Sequence, residues 1–321
     1  MKPFAFVFPG QGSQSVGMLD AWGDHPVVLE TLHEASEALG EDVAKLIKDG
    51  PKETLALTTN TQPVMLVTAV AAYRVWMSET GVAPSAVAGH SLGEYSALVA
   101  AGVLTLAQAT PLVRFRAQAM QEAVPVGVGA MAAILGMDAA KVIAGCVEVT
   151  AGFGSNSPEV VEAVNFNDPL QTVIAGSKAA VEKACEVLKA SGAKRALPLP
   201  VSAPFHSSLM KPAAERLKEK LQSVDFLPPQ ITLINNVDVA VESDVNRIRD
   251  ALYRQAFGPV RWVECVRTIK SHGLTTVVEC GPGKVLAGMV KRIDPELSGM
   301  ALLDPTSLMD IKSVLLGDTN E

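Results

Sequence analysis

The stretch AVAGHSLGEYSALVAAG, residues 86–102, sets a serine between two glycines as G-x-S-x-G, after a short apolar run and before strong helix formers. At a sharp strand-to-helix turn the flanking glycines remove side chains that would collide with the tight backbone, so the serine hydroxyl projects above the sheet. Ser91 is therefore the candidate nucleophile. The N–H of Leu92 comes next, at a helix N-terminus where unpaired N–H groups and the helix dipole favour an oxyanion. The bare pattern recurs in unrelated turns, and its weight here comes from the strand before it and the helix after it.

A serine of ordinary acidity needs a base, and the chain has five histidines. His206, in LPVSAPFHSSLMKP, follows a strand-like segment and precedes a helix with Pro212 in its first turn, a loop end of the kind where catalytic groups collect. His90 adjoins the nucleophile but is aimed elsewhere by so tight a turn, toward packing or a structural hydrogen bond. His25, His33 and His272 read as surface or loop residues. In α/β-hydrolase order an acid would lie between Ser91 and His206. Asp138 and Asp168 fall there, neither in a recognisable setting, so no third member is evident. The glycine-rich turn PGQGSQ at 9–14 lacks the lysine of a P-loop and the spacing of a dinucleotide fingerprint.

These residues need a scaffold, and 321 residues with 48% apolar and 19% charged side chains suffice for one main globular domain and a subdomain. The formal net charge of -7 gives no general attraction to nucleic acid or anionic lipid. Cys146, Cys185, Cys265 and Cys280 form no C-x-x-C pair and read as reduced, mostly buried thiols, with neither a zinc site nor a disulfide framework. The apolar core at Phe4 to Phe8 is too short for a secretory signal, and the run from Val64 is broken by Arg74 before it could span a bilayer. A cytoplasmic, monomeric enzyme or binding protein is expected, with no membrane partner.

FAFVF reads as a buried strand leading into PGQGSQ, and 86–88 as a second short strand. Helices are expected from Gln62 to about Glu79, over 93–102 with Gly102 as the stop, and around 111–122. VPVGVG then reads as a hinge. From about 128 to 199 the order is strand (AMAAIL), helix, two strands (VEAVNF, QTVIAG), helix, strand (KRALPL), the βαββαβ order of a ferredoxin-like unit. Ser177 is placed to cap its second helix at the start and Gly192 at the end. Alternation resumes with ITLINN, a helix over 245–256, and TTVVE leading into CGPGKVLAGMVKRI. The expected fold class is α/β: a body with a mostly parallel sheet, residues 1–127 and 200–321, carrying the 128–199 subdomain.

GHSLGEYSALVAAG, together with FVFPGQGSQ at 6–14, NTQPVMLVTAVAAYRVW at 60–76, VRFRAQAMQEA at 113–123 and ECGPGKVLAGMVKRI at 279–293, resembles the malonyl-CoA:acyl carrier protein transacylases over nearly the whole chain. The resemblance implies an α/β-hydrolase-like body with a ferredoxin-like insertion. It also implies ping-pong transfer of malonyl from malonyl-CoA to the phosphopantetheine thiol of acyl carrier protein through a malonyl-serine, supplying fatty acid synthesis without metal or tightly bound cofactor. A serine esterase or thioesterase, or a non-catalytic carrier-protein-binding subunit, are the alternatives.

By that resemblance Ser91 is the nucleophile and His206 its base and acid, held by a carbonyl oxygen around Gln255 rather than by an aspartate. A carbonyl suffices because neutral imidazole needs only an acceptor to fix its tautomer. The second oxyanion donor is the backbone N–H of Gln11, a contribution of roughly 3 kcal/mol. Malonate keeps a free carboxylate, which the bidentate fork of an arginine matches. Arg116 is assigned that task. Met120, four residues on, shares its helix face, and Arg114 is left as a surface or structural residue. Gln62 and Asn165 are implied to line the cavity, with Asn167 close enough to confuse the latter assignment. Phe205 resembles the aromatic that crowds an α-methyl branch in malonyl-selective polyketide acyltransferases. Carrier proteins resemble acidic helical bundles, so docking is expected among Lys189, Lys194, Arg195, Lys284, Lys291 and Arg292.

Overall fold

A computed structural model describes residues 1–201 and 203–317. FAFVF becomes strand β1 (Phe4–Phe8), buried at all five positions, as a strand covered on both faces of a parallel sheet should be. It lies at the centre of a five-stranded sheet ordered β7-β2-β1-β8-β9, with β2 at Ala86–Gly89, β7 at Thr232–Ile234, β8 at Thr276–Cys280 and β9 at Ser298–Leu302. The β1 pairs with β2 and β8, and the β2–β7 and β8–β9 pairs, are all parallel. The register sets Phe8 beside Gly89. The turn that follows β1 and the turn that follows β2 therefore leave the sheet side by side, at the strand carboxyl ends where open α/β sheets bind their ligands.

Successive β1 side chains enter opposite cores, as a period of two requires. Phe4, Phe6 and Phe8 pack with Trp76 on one face, and Ala5 and Val7 join Trp262 and Val290 on the other. Phe6 and Trp76 meet edge to face at 5.7 Å and 87°. Each fully buried aromatic of this kind contributes about 2–3 kcal/mol. Trp76 lies on the helix Thr58–Thr80, which is buried along most of its length. That helix starts before the expected Gln62 and carries Pro63 inside, and Leu106–Glu122 likewise starts before Pro111. The second helix has its start signal further upstream, where Thr105 and Gln108 form a capping box; the first has no side-chain cap, and its Thr61 hydroxyl donates to the Leu55 and Leu57 carbonyls.

A second sheet is antiparallel and ordered β4-β5-β3-β6, from β3 (Gly129–Leu135), β4 (Val161–Asp168), β5 (Gln171–Ser177) and β6 (Arg195–Pro198). The helices Ala139–Gly152 and Lys178–Ala190 bury Val142, Cys146, Val181, Ala184 and Leu188 with Ala132 and Ile134 of β3. Ser177 stands at the N-cap position but does not cap with its side chain. Its hydroxyl is occupied instead by the Val160 N–H and carbonyl at the start of the neighbouring strand. On the opposite face Met131, Val164 and Val173 join the core of the first sheet. The β4 edge is covered too: Val260 N–H donates to the Val164 carbonyl at 2.8 Å, and Phe166 N–H donates to the Val260 carbonyl at 2.9 Å. Among the described residues, no helix is long and apolar enough to cross a membrane.

Candidate active site

The nucleophile turn is built from backbone contact. A Cβ at Gly89 would come within 1.9 Å of the Gly93 carbonyl carbon, and one at Gly93 within 2.0 Å of the Phe8 oxygen, so both positions exclude any side chain. Between them Ser91 adopts φ 52, the left-handed region that costs a non-glycine residue about 1–2 kcal/mol. Two distant amides hold it there. Ser91 N–H donates to Asn236 Oδ1 at 2.8 Å while Asn236 Nδ2 donates to the Gly89 carbonyl at 2.6 Å. On the other side Gln255 Nε2 donates to the Ser91 carbonyl at 2.9 Å. The helix Gly93–Ala100 follows immediately.

His206, also at positive φ (65), brings Nε2 to 2.6 Å from Ser91 Oγ and Nδ1 to 2.8 Å from the Gln255 carbonyl oxygen. A carbonyl only accepts, so Nδ1 carries the proton and Nε2 is left to accept from the serine. Burial, followed by the nearby Arg116 charge, lowers the imidazole pKa to about 3, which keeps it neutral at pH 7 with Nε2 free to accept. Neither aspartate considered above reaches it. Asp138 caps its own helix through Lys141 N–H, and Asp168 pairs with Arg292 at 2.8 Å and accepts from Leu170 N–H.

Arg116 is 1% exposed, yet each of its hydrogen bonds goes to a neutral oxygen: Gln62 Oε1 at 2.7 Å, Gln255 Oε1 at 3.0 Å and Ser91 Oγ at 3.3 Å. Its Nε has no partner among the described residues, and its guanidinium carbon lies 5.5 Å from the Tyr95 ring centre. A desolvated cation supplied with amides and a hydroxyl is suited to receive an anion beside the serine. Arg114, by contrast, makes a two-point pair with Glu41 away from the site.

Gln11, Ser91, Arg116, Met120, Asn165, Phe205 and His206 line one cleft. Gln62 and Gln255 do not; they lie fully buried behind Arg116. The Gln11 side chain is turned back between Thr58 and Gln62, and among the described residues neither its N–H nor that of Leu92 finds a protein acceptor. His90, Met131, Leu199 and Val201 also line it. His90 makes the structural hydrogen bond expected of it, to Asn167 Oδ1 at 2.7 Å, and meets Trp262 edge-on at 5.5 Å.

Two buried residues central to this arrangement were not among the sequence candidates. Asn236 follows β7 at its carboxyl end, and Glu94, 3% exposed, accepts from Gln255 Nε2 at 3.0 Å and from Asn236 N–H at 3.1 Å. A signal for Glu94 did exist: it is the one charged residue in the GEYSALVA helix, which is otherwise small or apolar apart from the hydroxyls of Tyr95 and Ser96. Among the described residues no group of three or more potential metal ligands gathers.

The family described as acyl transferase domain matches residues 5–300. A malonyl CoA-acyl carrier protein transacylase of Escherichia coli (strain K12) is 52% identical over 309 residues, covering 96% of this chain and 98% of that protein. Its counterpart in Bacillus subtilis (strain 168) is 45% identical, covering 96% of each. Among solved structures, an acyl-carrier-protein S-malonyltransferase from Burkholderia pseudomallei 1710b superposes with a TM-score of 0.93 at 65% identity, over 97% of this chain and 99% of that one. A malonyl-transacylase solved with a type II polyketide acyl-carrier protein gives a TM-score of 0.93 at 49% identity, over 99% and 100%. With a strained serine, a carbonyl-held histidine and a dry arginine converging in a match of this length, the chain belongs to the acyl transferase family, within its malonyl CoA-acyl carrier protein transacylases.

Proposed function

We propose that the cleft moves a malonyl group from malonyl-CoA to the phosphopantetheine thiol of acyl carrier protein, through an ester on Ser91. As Ser91 Oγ attacks the thioester carbonyl, His206 Nε2 takes its proton. The resulting oxyanion is held by the N–H groups of Gln11 and Leu92, each contributing roughly 3 kcal/mol. Collapse breaks the carbon–sulfur bond, and His206 returns the proton to the departing thiolate of CoA. The carrier thiol then enters and repeats the steps in reverse, giving ping-pong kinetics with no resident cofactor. The observation that carries this reading is Arg116, buried within 3.3 Å of Ser91 Oγ and, among the described residues, lacking a direct anionic partner. An uncharged acyl group would give such a cation nothing to bind. Met120, Asn165 and Phe205 then shape the space around the acyl chain.

The division into a body of 1–127 and 200–321 and a subdomain of 128–199 belongs to the same proposal. The βαββαβ order with strand order β4-β5-β3-β6 supports classing the subdomain as ferredoxin-like, and the serine turn after β2 supports an α/β-hydrolase-like body. A cytoplasmic setting and a carrier-docking patch among Lys189, Lys194, Arg195, Lys284 and Lys291 fit this reading. Arg292, already paired with Asp168, contributes less to such a patch.

Intact-protein mass after brief mixing with malonyl-CoA tests the reading. A malonyl adduct that is absent in Ser91→Ala and passes to added holo carrier protein is expected. Free malonate appearing without a lasting adduct would make the chain a thioesterase.

A further inference from the structure

Arg116 is buried, and its ionic counterpart is not in direct contact with it. From Arg116 Nη2 the path runs 3.0 Å to Gln255 Oε1, then through the same amide from Nε2 another 3.0 Å to Glu94 Oε2. Glu94 also accepts from Asn236 N–H, and Asn236 grips Ser91. One amide group thus bridges a buried cation on the helix Leu106–Glu122 and a buried carboxylate on the helix Gly93–Ala100. Resting on the malonyl reading above, we propose that Glu94 is a positioning residue that supplies the counter-charge of Arg116 while the site is empty, and takes up a proton when the substrate's own carboxylate docks on Arg116.

The physical reason is a limit on charge. In a dry site one guanidinium can offset one carboxylate, and a second anion sharing it is disfavoured as two neighbouring carboxylates disfavour each other. Glu94 yields because the incoming carboxylate contacts Arg116 itself, whereas Glu94 acts through an amide. Burial already inclines Glu94 this way, raising its pKa to about 7 despite the opposing hydrogen bonds from Gln255 and Asn236 and the Arg116 charge.

The surrounding groups leave Glu94 alone to titrate. Tyr95, beside it on the same helix, is pushed up to about 12 by burial. Cys265, on the helix Trp262–Ser271, is raised far above the thiol range by burial, and His206 is lowered to about 3. Asp238, after β7, is held low by Arg254 and stays ionised.

The test is calorimetric titration of malonyl-CoA into the full-length Ser91→Ala chain, at pH 7 and pH 8, in buffers of different ionisation enthalpy. Uptake of roughly half a proton at pH 7, rising toward one at pH 8, is expected. Acetyl-CoA, which carries the same phosphates but no acyl carboxylate, should show none of this extra uptake. Adding Glu94→Gln should abolish it. Binding without proton uptake, or uptake that persists in Glu94→Gln, overturns the inference and leaves the malonyl reading standing. Failure of malonyl-CoA to bind at all overturns both. A wild-type measurement guards against a misfolded Glu94→Gln: the ratio of kcat/KM for malonyl-CoA to that for acetyl-CoA should fall with rising pH above 7, by up to about tenfold per unit. A flat ratio overturns the inference.

Discussion

On the body side of the cleft the reacting groups are each held by buried polar partners: Ser91 by Asn236 and Gln255, His206 by the Gln255 carbonyl, Arg116 by Gln62 and Gln255. The wall contributed by the second sheet and the segment following it as far as Val201 is largely apolar, with Met131, Leu199 and Val201; Asn165 is its polar member among the described residues, and its Oδ1 finds no partner among them. The contrast separates two tasks. Proton transfer and charge stabilisation need atoms fixed to within fractions of an ångström, which a cross-linked polar network provides. Admitting one acyl group over another needs only a surface of suitable shape, which apolar side chains set and can change cheaply.

If that separation is real, damage to the body wall should cost far more than damage to its counterpart. The largest effect is expected from Ser91→Ala or His206→Ala, on the order of a 10⁴-fold loss of transfer in a steady-state assay with holo carrier protein. Arg116→Ala should follow, with kcat/KM for malonyl-CoA falling roughly 10²- to 10³-fold and that for acetyl-CoA much less, since only the former loses a charge partner. Equal losses for both thioesters would assign Arg116 to the elbow rather than to the substrate. Met131→Ala should act the other way, leaving malonyl turnover within a few-fold while improving methylmalonyl-CoA by roughly tenfold.

Stability should report the same asymmetry. A neutral buried histidine lowers stability as pH falls through the ordinary imidazole range, because below about 6.5 the unfolded chain binds a proton that folded His206, at about 3, refuses. At pH 5 this amounts to about 2 kcal/mol, so His206→Gln should lose correspondingly less between pH 7 and pH 5 in urea unfolding. Glu94 and Glu279, both raised to about 7 chiefly by burial, act with the opposite sign, and their contribution is lost as pH rises from about 4.5 through 7. The smallest effect is expected at the rim: Arg292→Ala breaks a pair whose arginine is 55% exposed, worth about 1 kcal/mol or less in the same urea assay.

The parts of this site that were legible in the sequence are those signalled locally. The glycines around Ser91 announce a turn whatever surrounds them, and the strands of the second sheet alternate with helices clearly enough to be bounded within a few residues. Arg116 and the Gln255 carbonyl were legible only through resemblance, because a helical arginine carries no mark of its burial. Glu94 and Asn236 escaped both routes. They meet across 142 residues of chain, and a contact of that span leaves no periodic trace. Strand β9 was missed for a related reason: SGMAL lies at the sheet edge, mostly half-buried, and has no strong apolar run. The helix Pro305–Leu316 does have a start signal, in Asp304, Pro305 and Ser307, that periodicity alone does not reveal.

The close approach of Phe8, Gly89 and Gly93 has one more consequence. With no side chain between these segments, the offset between the loop bearing Gln11 and the turn bearing Leu92 is gauged by main-chain atoms touching main-chain atoms. Rotamer changes and core substitutions elsewhere do not enter that dimension. A lineage could therefore respecify the far wall for a new acyl group, repeatedly, without recalibrating the place where the oxyanion forms.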